Sequence, residues 1–560
     1  MCGIWALFGI ETDVAVHSNA VFSKISHRGP DAWRVEADCR MAHSCLGFHR
    51  LKIVDSVHGM QPMKLHCLPD LTLMCNGEIY NCHELVKDFG FPTETRCDVE
   101  PILHLFGKGG IEMATTNLDA EFAFCLVDSG NQKVYLARDP FGVRPMFRLY
   151  SETGVLGVCS EAKGLIGITK ELNGSKFTLE PFPPGVFEEY SIDKDGRAKL
   201  LRQERFYEIG SLERPKFRPF VPYNKLKNDV LANIRTLLTS AVRKRLMADR
   251  RVGCLLSGGL DSSLVAALLV KEAKAMNLPY PVQTFSIGMG DSPDIVAARQ
   301  VAKHIGSEHH EITFTEEDVG NVLDEVIGTL ETYDITTVRA SIGMYLVAKA
   351  IKQETDTTVI LSGEGADELA QGYIYFRDAP STAEARAESI RLLKDIYLFD
   401  GLRADRTTAA WSLELRVPFL DLEFTNYMLS LPPELLQPKD GVEKHLLRSA
   451  FDGVGLLPNN ILWRHKEAFS DGVASIRKSL FQVIQEIVAK REIDVALEDA
   501  KTLFPNCTPK TREALYYRVM FEKKFPKQSS LTPYFWMPRW VNVSDPSARF
   551  ISHYAAEKKK

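Results

Sequence analysis

A chain of 560 residues is longer than one hydrophobic core usually organises, so two or more domains are expected. Hydrophobic residues at 45% and charged residues at 25% are ordinary for a globular protein. A formal net charge of -5 supplies no broad field for nucleic acid or an anionic membrane, so neither is expected as a partner.

The chain opens Met1-Cys2-Gly3-Ile4-Trp5. Removal of Met1 would leave Cys2 with a thiol and a free α-amine on one residue. A thiolate is a strong nucleophile and an α-amine titrates near neutrality, so one residue offers both nucleophile and general base. Taken alone, Cys2 reads better as a small apolar residue near a terminus. The eleven cysteines show no CxxC pair and no framework spacing, which points to reduced thiols rather than disulfides or a zinc site. No basic segment precedes an apolar run at the N-terminus, and no apolar run approaches the roughly 20 residues that span a bilayer. A cytoplasmic location is the expectation.

Up to residue 205 the pattern is of short strands bounded by Gly, Asn, Asp or Pro: Leu46–Val54, Leu71–Cys75, Phe122–Asp128 and Lys133–Ala137. This spacing predicts a layered α/β domain over residues 2–205. Residues 206–223 mix proline, charge and aromatics without a period and read as a linker. From there the texture changes. Val230–Ala248 has helical apolar spacing and a basic end at Arg243, Lys244 and Arg245. A strand at Val252–Leu256, a glycine loop and a helix at Ser263–Met276 follow. Further strands are predicted at Val282–Ile287, His309–Phe314 and Thr358–Leu361, with helical patterns between. Strand alternating with helix predicts a doubly wound parallel sheet over residues 224–545, and 546–560 reads as a solvated tail. His309 and His310, adjacent on a strand, point to opposite faces and read as structural rather than metal-binding.

The loop Ser257-Gly258-Gly259-Leu260-Asp261-Ser262-Ser263 joins the Val252–Leu256 strand to its helix. Glycines let backbone N–H groups close on an anion, serines add donors, and a helix N-terminus adds positive potential. Asp261 would repel a phosphate unless Mg²⁺ bridges the two. The chain has no GK[ST], so this is not a Walker A loop. It resembles the pyrophosphate loop of the PP-loop ATP pyrophosphatase family, whose members cleave ATP to AMP and pyrophosphate. Leu256, Ile287, Ser362 and Gly363, at the carboxyl ends of strands, would complete a nucleotide site. Glu364, Asp367 and Glu368 place three carboxylates in the loop beyond them, more than helix capping requires.

In the N-terminal part, His27-Arg28-Gly29-Pro30-Asp31, His49-Arg50-Leu51-Lys52-Ile53-Val54, Asn76-Gly77-Glu78-Ile79-Tyr80-Asn81 and Arg138–Pro145 follow Cys2 in order. Together these resemble the class II glutamine amidotransferase family, in which the N-terminal cysteine hydrolyses glutamine to glutamate and ammonia. The resemblance implies an Ntn-hydrolase-like fold and an oxyanion hole at the Asn76 side chain and Gly77 N–H. It also implies a glutamine site of Arg50, Leu51, Lys52, Ile53, Val54, Asn76, Gly77, Glu78 and Asp98. Val99 stands where it would put glycine, as does Ala120.

A glutaminase domain followed by a PP-loop domain is similar to the glutamine-dependent asparagine synthetases. Tyr333–Ser341, Arg403–Arg406, Leu413–Asp421 and Lys466–Gly472 extend the match over nearly the whole chain, with His465 where proline is expected. The resemblance implies ATP, L-aspartate and L-glutamine as substrates, with Mg²⁺ on Asp261 and Asp367 and Lys466 on pyrophosphate. Glu364 would act as base toward ammonia or as stabiliser of the adenylate. Aspartate would contact Thr336, Arg339, Asp367 and Glu368, although Arg339 reads equally as a structural ion pair. A homodimer rests on the resemblance alone. Three other readings compete: a related enzyme amidating another acid or closing a ring, a PP-loop enzyme acting on tRNA, and an inactive scaffold. The Thr336–Arg339 and Glu364–Glu368 segments, the acidic balance and the intact nucleophile and loop speak against these in turn.

Overall fold

A computed structural model describes residues 1–11, 13–172, 174–211, 229–290, 292–465, 473, 478–543 and 545–546. The predicted linker from 212 onward and the tail from 547 onward lie outside the described residues. The chain divides into two compact units. The first comprises Met1–Phe220 with two short later pieces, Met247–Arg250 and Ala409–Glu414; the second comprises Val221–Leu246, Arg251–Thr408 and Leu415–Lys560.

Among the described residues the first unit is built on twelve strands: β1 (Gly3–Phe8), β2 (Ala32–Glu36), β3 (Ser44–Arg50), β4 (Met63–Leu65), β5 (Leu68–Ile79), β6 (Ala120–Asp128), β7 (Lys133–Arg138), β8 (Phe147–Ser151), β9 (Leu156–Cys159), β10 (Phe177–Pro181), β11 (Val186–Ile192) and β12 (Ala198–Arg205). They form two six-stranded sheets, ordered β10-β8-β9-β1-β3-β2 and β12-β11-β7-β6-β5-β4. Their neighbouring strands pair antiparallel. Ile4, Ala6, Leu46 and Phe48 from one sheet meet Met74, Ala123, Cys125 and Leu136 from the other in a common core. Helices cover the outer faces: α1 (Val14–Ile25) lies on β2 and β3, while α2 (Cys82–Phe89) packs with α3 (Pro101–Thr116), which lies on β5. A strand covered on both faces is apolar at successive positions, which is why every residue of β6 is buried.

Two predicted boundaries move. The Leu46–Val54 strand stops at Arg50, because the Leu51 backbone turns toward Cys2: its N–H meets Cys2 Sγ at 3.4 Å. The Leu71–Cys75 strand instead runs on to Ile79. Beyond the predicted end at Cys75, Asn76 pairs with Ala123 and Gly77 with Phe122 in the ladder. Gly77 is required there, since a Cβ would lie 2.5 Å from the Glu121 carbonyl oxygen.

The second unit carries β13 (Val252–Leu255), β14 (Gln283–Gly288), β15 (Glu308–Thr313), β16 (Val359–Leu361) and β17 (Glu414–Arg416), ordered β15-β14-β13-β16-β17. The β13–β14, β14–β15 and β13–β16 pairs are parallel. This order reverses direction between β13 and β16, the switch point of a doubly wound sheet. The described helices around it begin with α4 (Val230–Lys244), α5 (Leu260–Ala275), α6 (Pro293–Ile305), α7 (Glu316–Leu330) and α8 (Ile335–Glu354). The α4 helix ends four residues before the predicted Ala248, and α5 begins inside the predicted loop, at Leu260. His309 and His310 are structural: His309 lies between the Thr284 and Ser286 hydroxyls at 3.0 and 3.1 Å, and His310 stacks on Phe285. Among the described residues no helix is long and apolar enough to cross a membrane.

One buried titratable group in the first unit makes its stability depend on pH. His49, on β3, is 2% exposed; its Nε2 has no partner and the Phe22 ring stands 5.2 Å away. Burial pushes its pKa down to about 4 from an ordinary 6.5. Between those values the unfolded chain binds a proton that the folded chain refuses, so stability falls as pH drops from 7 toward 4. The expected loss from His49 is about 2 kcal/mol across that window. Urea unfolding at several pH values should show a shallower acid slope for His49→Phe than for the wild type.

Candidate active sites

In the first unit Cys2 immediately precedes β1, beside β3. Its Sγ lies 3.4 Å from the Leu51 N–H and 3.6 Å from the Leu51 carbonyl, and its own carbonyl accepts from Arg28 Nε at 3.1 Å. Burial raises the thiol pKa, and the charges of Glu414 and Glu78 push the same way. A thiol in this setting needs a base. The N-terminal ammonium, here on Met1, is 3.3 Å from Glu414 Oε2 and has its pKa lowered by burial.

Asn76 is 1% exposed and its Nδ2 has no hydrogen-bond partner, a buried donor left uncommitted. Arg50 is buried, and its Nη2 donates to the carbonyls of Val54, at 3.4 Å, and Asp55. The Lys52 N–H donates to Asp31 Oδ2 at 2.8 Å, and the Ile53 carbonyl accepts from the Asp249 N–H at 2.8 Å. Asp98 Oδ2 accepts from the Ile79 N–H at 2.8 Å, which fixes that carboxylate beside the end of β5. Glu78 is buried on β5. Val99 is buried outside the left-handed region, so the turn after Asp98 accepts a side chain; Ala120 simply opens β6 opposite Ile79.

In the second unit a cavity of about 220 Å³ opens at the switch point. Leu256, Ser257, Gly259, Asp261, Ser262, Ile287, Ser362, Gly363, Glu364 and Asp367 all line it. The loop is drawn tight by its serines: Ser257 and Ser262 hydroxyls lie 2.9 Å apart, and Ser257 Oγ accepts from the Gly259 N–H at 3.3 Å. No side chain caps α5, whose N-terminus therefore keeps its anion-attracting character. Gly258 has φ +76°, and a Cβ there would lie 2.5 Å from the Ala298 nitrogen, so glycine is needed. Its carbonyl accepts from Arg464 Nη1 at 3.1 Å. Ser263 lies behind the cavity, fully buried.

The carboxylate loop meets cations that come from far along the chain. Lys444 Nζ pairs with Asp261 Oδ2 and, at 2.6 Å, with Asp367 Oδ1. Arg403 Nη2 reaches Glu364 Oε1 and Oε2 at 2.9 and 2.8 Å and Asp400 Oδ1 at 2.8 Å. Burial pushes the Glu364 pKa up to about 7; Arg403 opposes this and Asp400 adds to it. Glu368 does not line the cavity. Its Oε1 lies 2.7 Å from the Tyr373 hydroxyl, which is 3.0 Å from Asp400 Oδ2; burial and the Asp400 charge raise its pKa well above the usual range. Glu364 and Glu368, four residues apart, are thus both raised, but by different neighbours.

Two family models match the chain: one described as a glutamine amidotransferase domain over residues 1–180, the other as asparagine synthase over 233–392 and 377–544. The asparagine synthetase [glutamine-hydrolyzing] of Gallus gallus is 54% identical over 99% of both chains. Those of Bos taurus and Homo sapiens are 52% and 51% identical over the full length of both. The chain belongs to the asparagine synthetase family.

Against that family pattern, the aspartate contacts are the least concentrated part of the site. Thr336 and Arg339 do not line the cavity. Of the two readings of Arg339, the ion pair is the one the structure contains: Nε and Nη2 meet Glu513 at 2.7 Å, Nη1 and Nη2 meet Asp545 at 2.9 and 2.8 Å, and the guanidinium lies over Phe481. Thr336 Oγ1 is buried without a partner. Lys466 lies outside the described residues. Sequence reasoning assigned no role to Lys444, Arg403, Arg448 or Arg464, which all line the cavity. The available signal was composition, since Lys444, His445 and Arg448 put three basic residues in and just before one short helix, His445–Phe451.

A Mg²⁺ ion fits the pair expected to hold it. Asp261 Oδ1 is buried with no hydrogen-bond partner, and two hard carboxylates beside a phosphate loop suit an ion that takes its other ligands from water and phosphate. Among the described residues no three His, Cys, Asp or Glu side chains gather into a cage, so the two carboxylates would hold it only together with such ligands.

Lys444 reaches this position under tight steric conditions. Its φ is +55°, and a Cβ on Gly372 would lie 2.0 Å from both Asp367 Oδ1 and Lys444 Cε. Gly372→Ala should therefore push the ammonium out of place and cost about 1–3 kcal/mol in urea unfolding. Gly320→Ala, whose Cβ would meet only Ile487 Cδ1 at 3.8 Å, should be neutral or stabilising in the same assay.

Proposed function

We propose that the chain is a glutamine-hydrolysing asparagine synthetase, converting ATP, L-aspartate, L-glutamine and water to AMP, diphosphate, L-asparagine and L-glutamate. The observation that carries this reading is full-length identity of 54% to a relative so named, with a nucleophile site in one unit and a phosphate-loop cavity in the other.

In the first unit, Met1 is removed and Cys2 attacks the glutamine amide carbon, forming a thioester and releasing ammonia. Burial holds the Cys2 thiol protonated at rest, so its proton passes to the adjacent α-amine. The uncommitted Asn76 Nδ2 and the Gly77 N–H receive the oxyanion. Arg50 takes the α-carboxylate of glutamine and Asp98 its α-ammonium, while Leu51 to Val54 and Glu78 shape the pocket.

In the second unit, the loop Ser257–Ser263 and Lys444 hold the triphosphate, and Lys466 is assigned to the departing diphosphate. Leu256, Ile287, Ser362 and Gly363 receive the nucleoside. Mg²⁺, where bound, neutralises phosphate charge, with Asp261 and Asp367 as its protein ligands. The β-carboxylate of aspartate attacks the α-phosphorus, since a free carboxylate is a poor acyl donor and AMP is a good leaving group. Thr336, Asp367 and Glu368 remain as assigned aspartate contacts, with Arg339 set aside for its buried ion pair. Ammonia then displaces AMP. Glu364, pushed up to about pH 7, accepts a proton from the incoming nitrogen. Ammonia must arrive unprotonated, so internal transfer from the first unit is part of the proposal. A cytoplasmic location is supported by eleven free cysteines, and the absence of a nucleic acid partner by the net charge of -5. Family membership supports a homodimer.

Supplying each amino acid singly and identifying the nucleotide product tests the reading: AMP and diphosphate should form only with aspartate, and ADP as the product would overturn it. Cys2→Ala should lose glutamine-dependent synthesis and keep ammonia-dependent synthesis. Glu364→Gln should spare glutaminase and stop asparagine formation. Intact mass of active protein should lack Met1; a retained methionine contradicts the proposed base.

A further inference from the structure

The first unit includes a four-residue piece from much later in the chain, Met247–Arg250. It is anchored at two points. Cys82 Sγ lies 3.8 Å from the Met247 sulfur, and Asp249 grips the loop that follows β3 from both directions. The Asp249 N–H donates to the Ile53 carbonyl at 2.8 Å, and Asp249 Oδ2 accepts from the Asp55 N–H at 3.0 Å.

Asp55 is the knot of that loop. Its φ of +52° is a left-handed conformation that a non-glycine residue holds only when its surroundings fix it. Its carboxylate accepts from the N–H groups of Val57, His58 and Arg96 at 3.2, 2.9 and 2.9 Å. These bonds keep the carboxylate below its usual pKa against the opposing effect of burial. Its carbonyl receives the Arg50 guanidinium. Arg96 stands two residues before Asp98. Arg50 and Asp98, proposed to hold the two ends of the glutamine backbone, are therefore both hung from Asp55.

We infer that Asp249 is a positioning residue of the glutamine pocket, acting through Asp55 on Arg50 and Asp98. The inference rests on the glutaminase reading above. The side-chain acceptor is the working part: without it the Asp55 N–H loses its partner and the left-handed loop relaxes, which misaims Arg50. The attack by Cys2 is not built on this loop's outer bonds, so binding changes before turnover does.

Steady-state glutaminase kinetics on the full chain test this with Asp249→Ala and Asp249→Asn. Losing one hydrogen bond to the loop should raise KM for glutamine about five- to tenfold in Asp249→Ala, with kcat within about twofold. Asp249→Asn keeps an acceptor oxygen and should restore KM to within about twofold of wild type. Ammonia-dependent asparagine formation should match wild type in both. An unchanged KM in Asp249→Ala, a fall in kcat at constant KM, or no rescue in Asp249→Asn each overturns the inference. Wild-type chain without glutaminase activity would instead defeat the functional reading, before any variant is compared.

Discussion

The second unit is organised around one buried ammonium. Lys444 stands between Asp261, in the first turn of the helix after β13, and Asp367, in the first turn of the short helix after β16, and so ties together the two segments that diverge at the switch point. Isolated in a low dielectric, either carboxylate or the ammonium would be costly; paired, they hold a cleft open at the carboxyl ends of the strands. The pairing needs a left-handed backbone at Lys444 and no side chain at Gly372. Arg464 reinforces it from behind by bonding the Gly258 carbonyl and Asp294 Oδ1. The result is a cavity whose carboxylates are already partly neutralised and whose cations face the place where a polyphosphate would lie.

Burial sets the resting state of the reactive groups in both units, and neighbours then separate them. Glu364 and Glu368 are both desolvated, but Arg403 pulls Glu364 back to about 7 while Asp400 and Asp367 push Glu368 further up. Two carboxyls four residues apart are thus raised to different degrees, a division that environment alone creates. Cys2 follows the same logic in the first unit. Burial raises the pKa of its thiol and lowers that of the neighbouring terminal amine, so desolvation favours the neutral form of both.

Much of the fold was legible because its signals are local. The change from strand-rich to strand-helix alternation marks the two units, and the Ser257–Ser263 segment joins its strand to its helix, with the helix already under way at Leu260. The misreadings have local causes too. Asn76-Gly77 carries the chemistry of a hairpin turn, but β6 runs alongside and its backbone takes the ladder through both residues, with glycine needed for closeness rather than for bending. The strand pattern at Leu46–Val54 overran because Leu51 and Ile53 are buried apolar residues beyond the end of β3, apolar for packing and not for pairing in a sheet.

By itself the sequence singled out the candidate residues and the segments that carry them: Cys2, Asn76, the glycine loop after β13 and the carboxylates after β16. Such residues are marked by glycines, caps and spacing within a few positions of one another, where backbone dihedral limits leave few alternatives. Tertiary structure alone decided the partners. Lys444 meets Asp261 across 183 positions, Arg403 meets Glu364 across 39, and Arg339 commits to Glu513 across 174. A charged side chain carries no local sign of its counter-ion, because the pairing follows from which distant segments the core brings together.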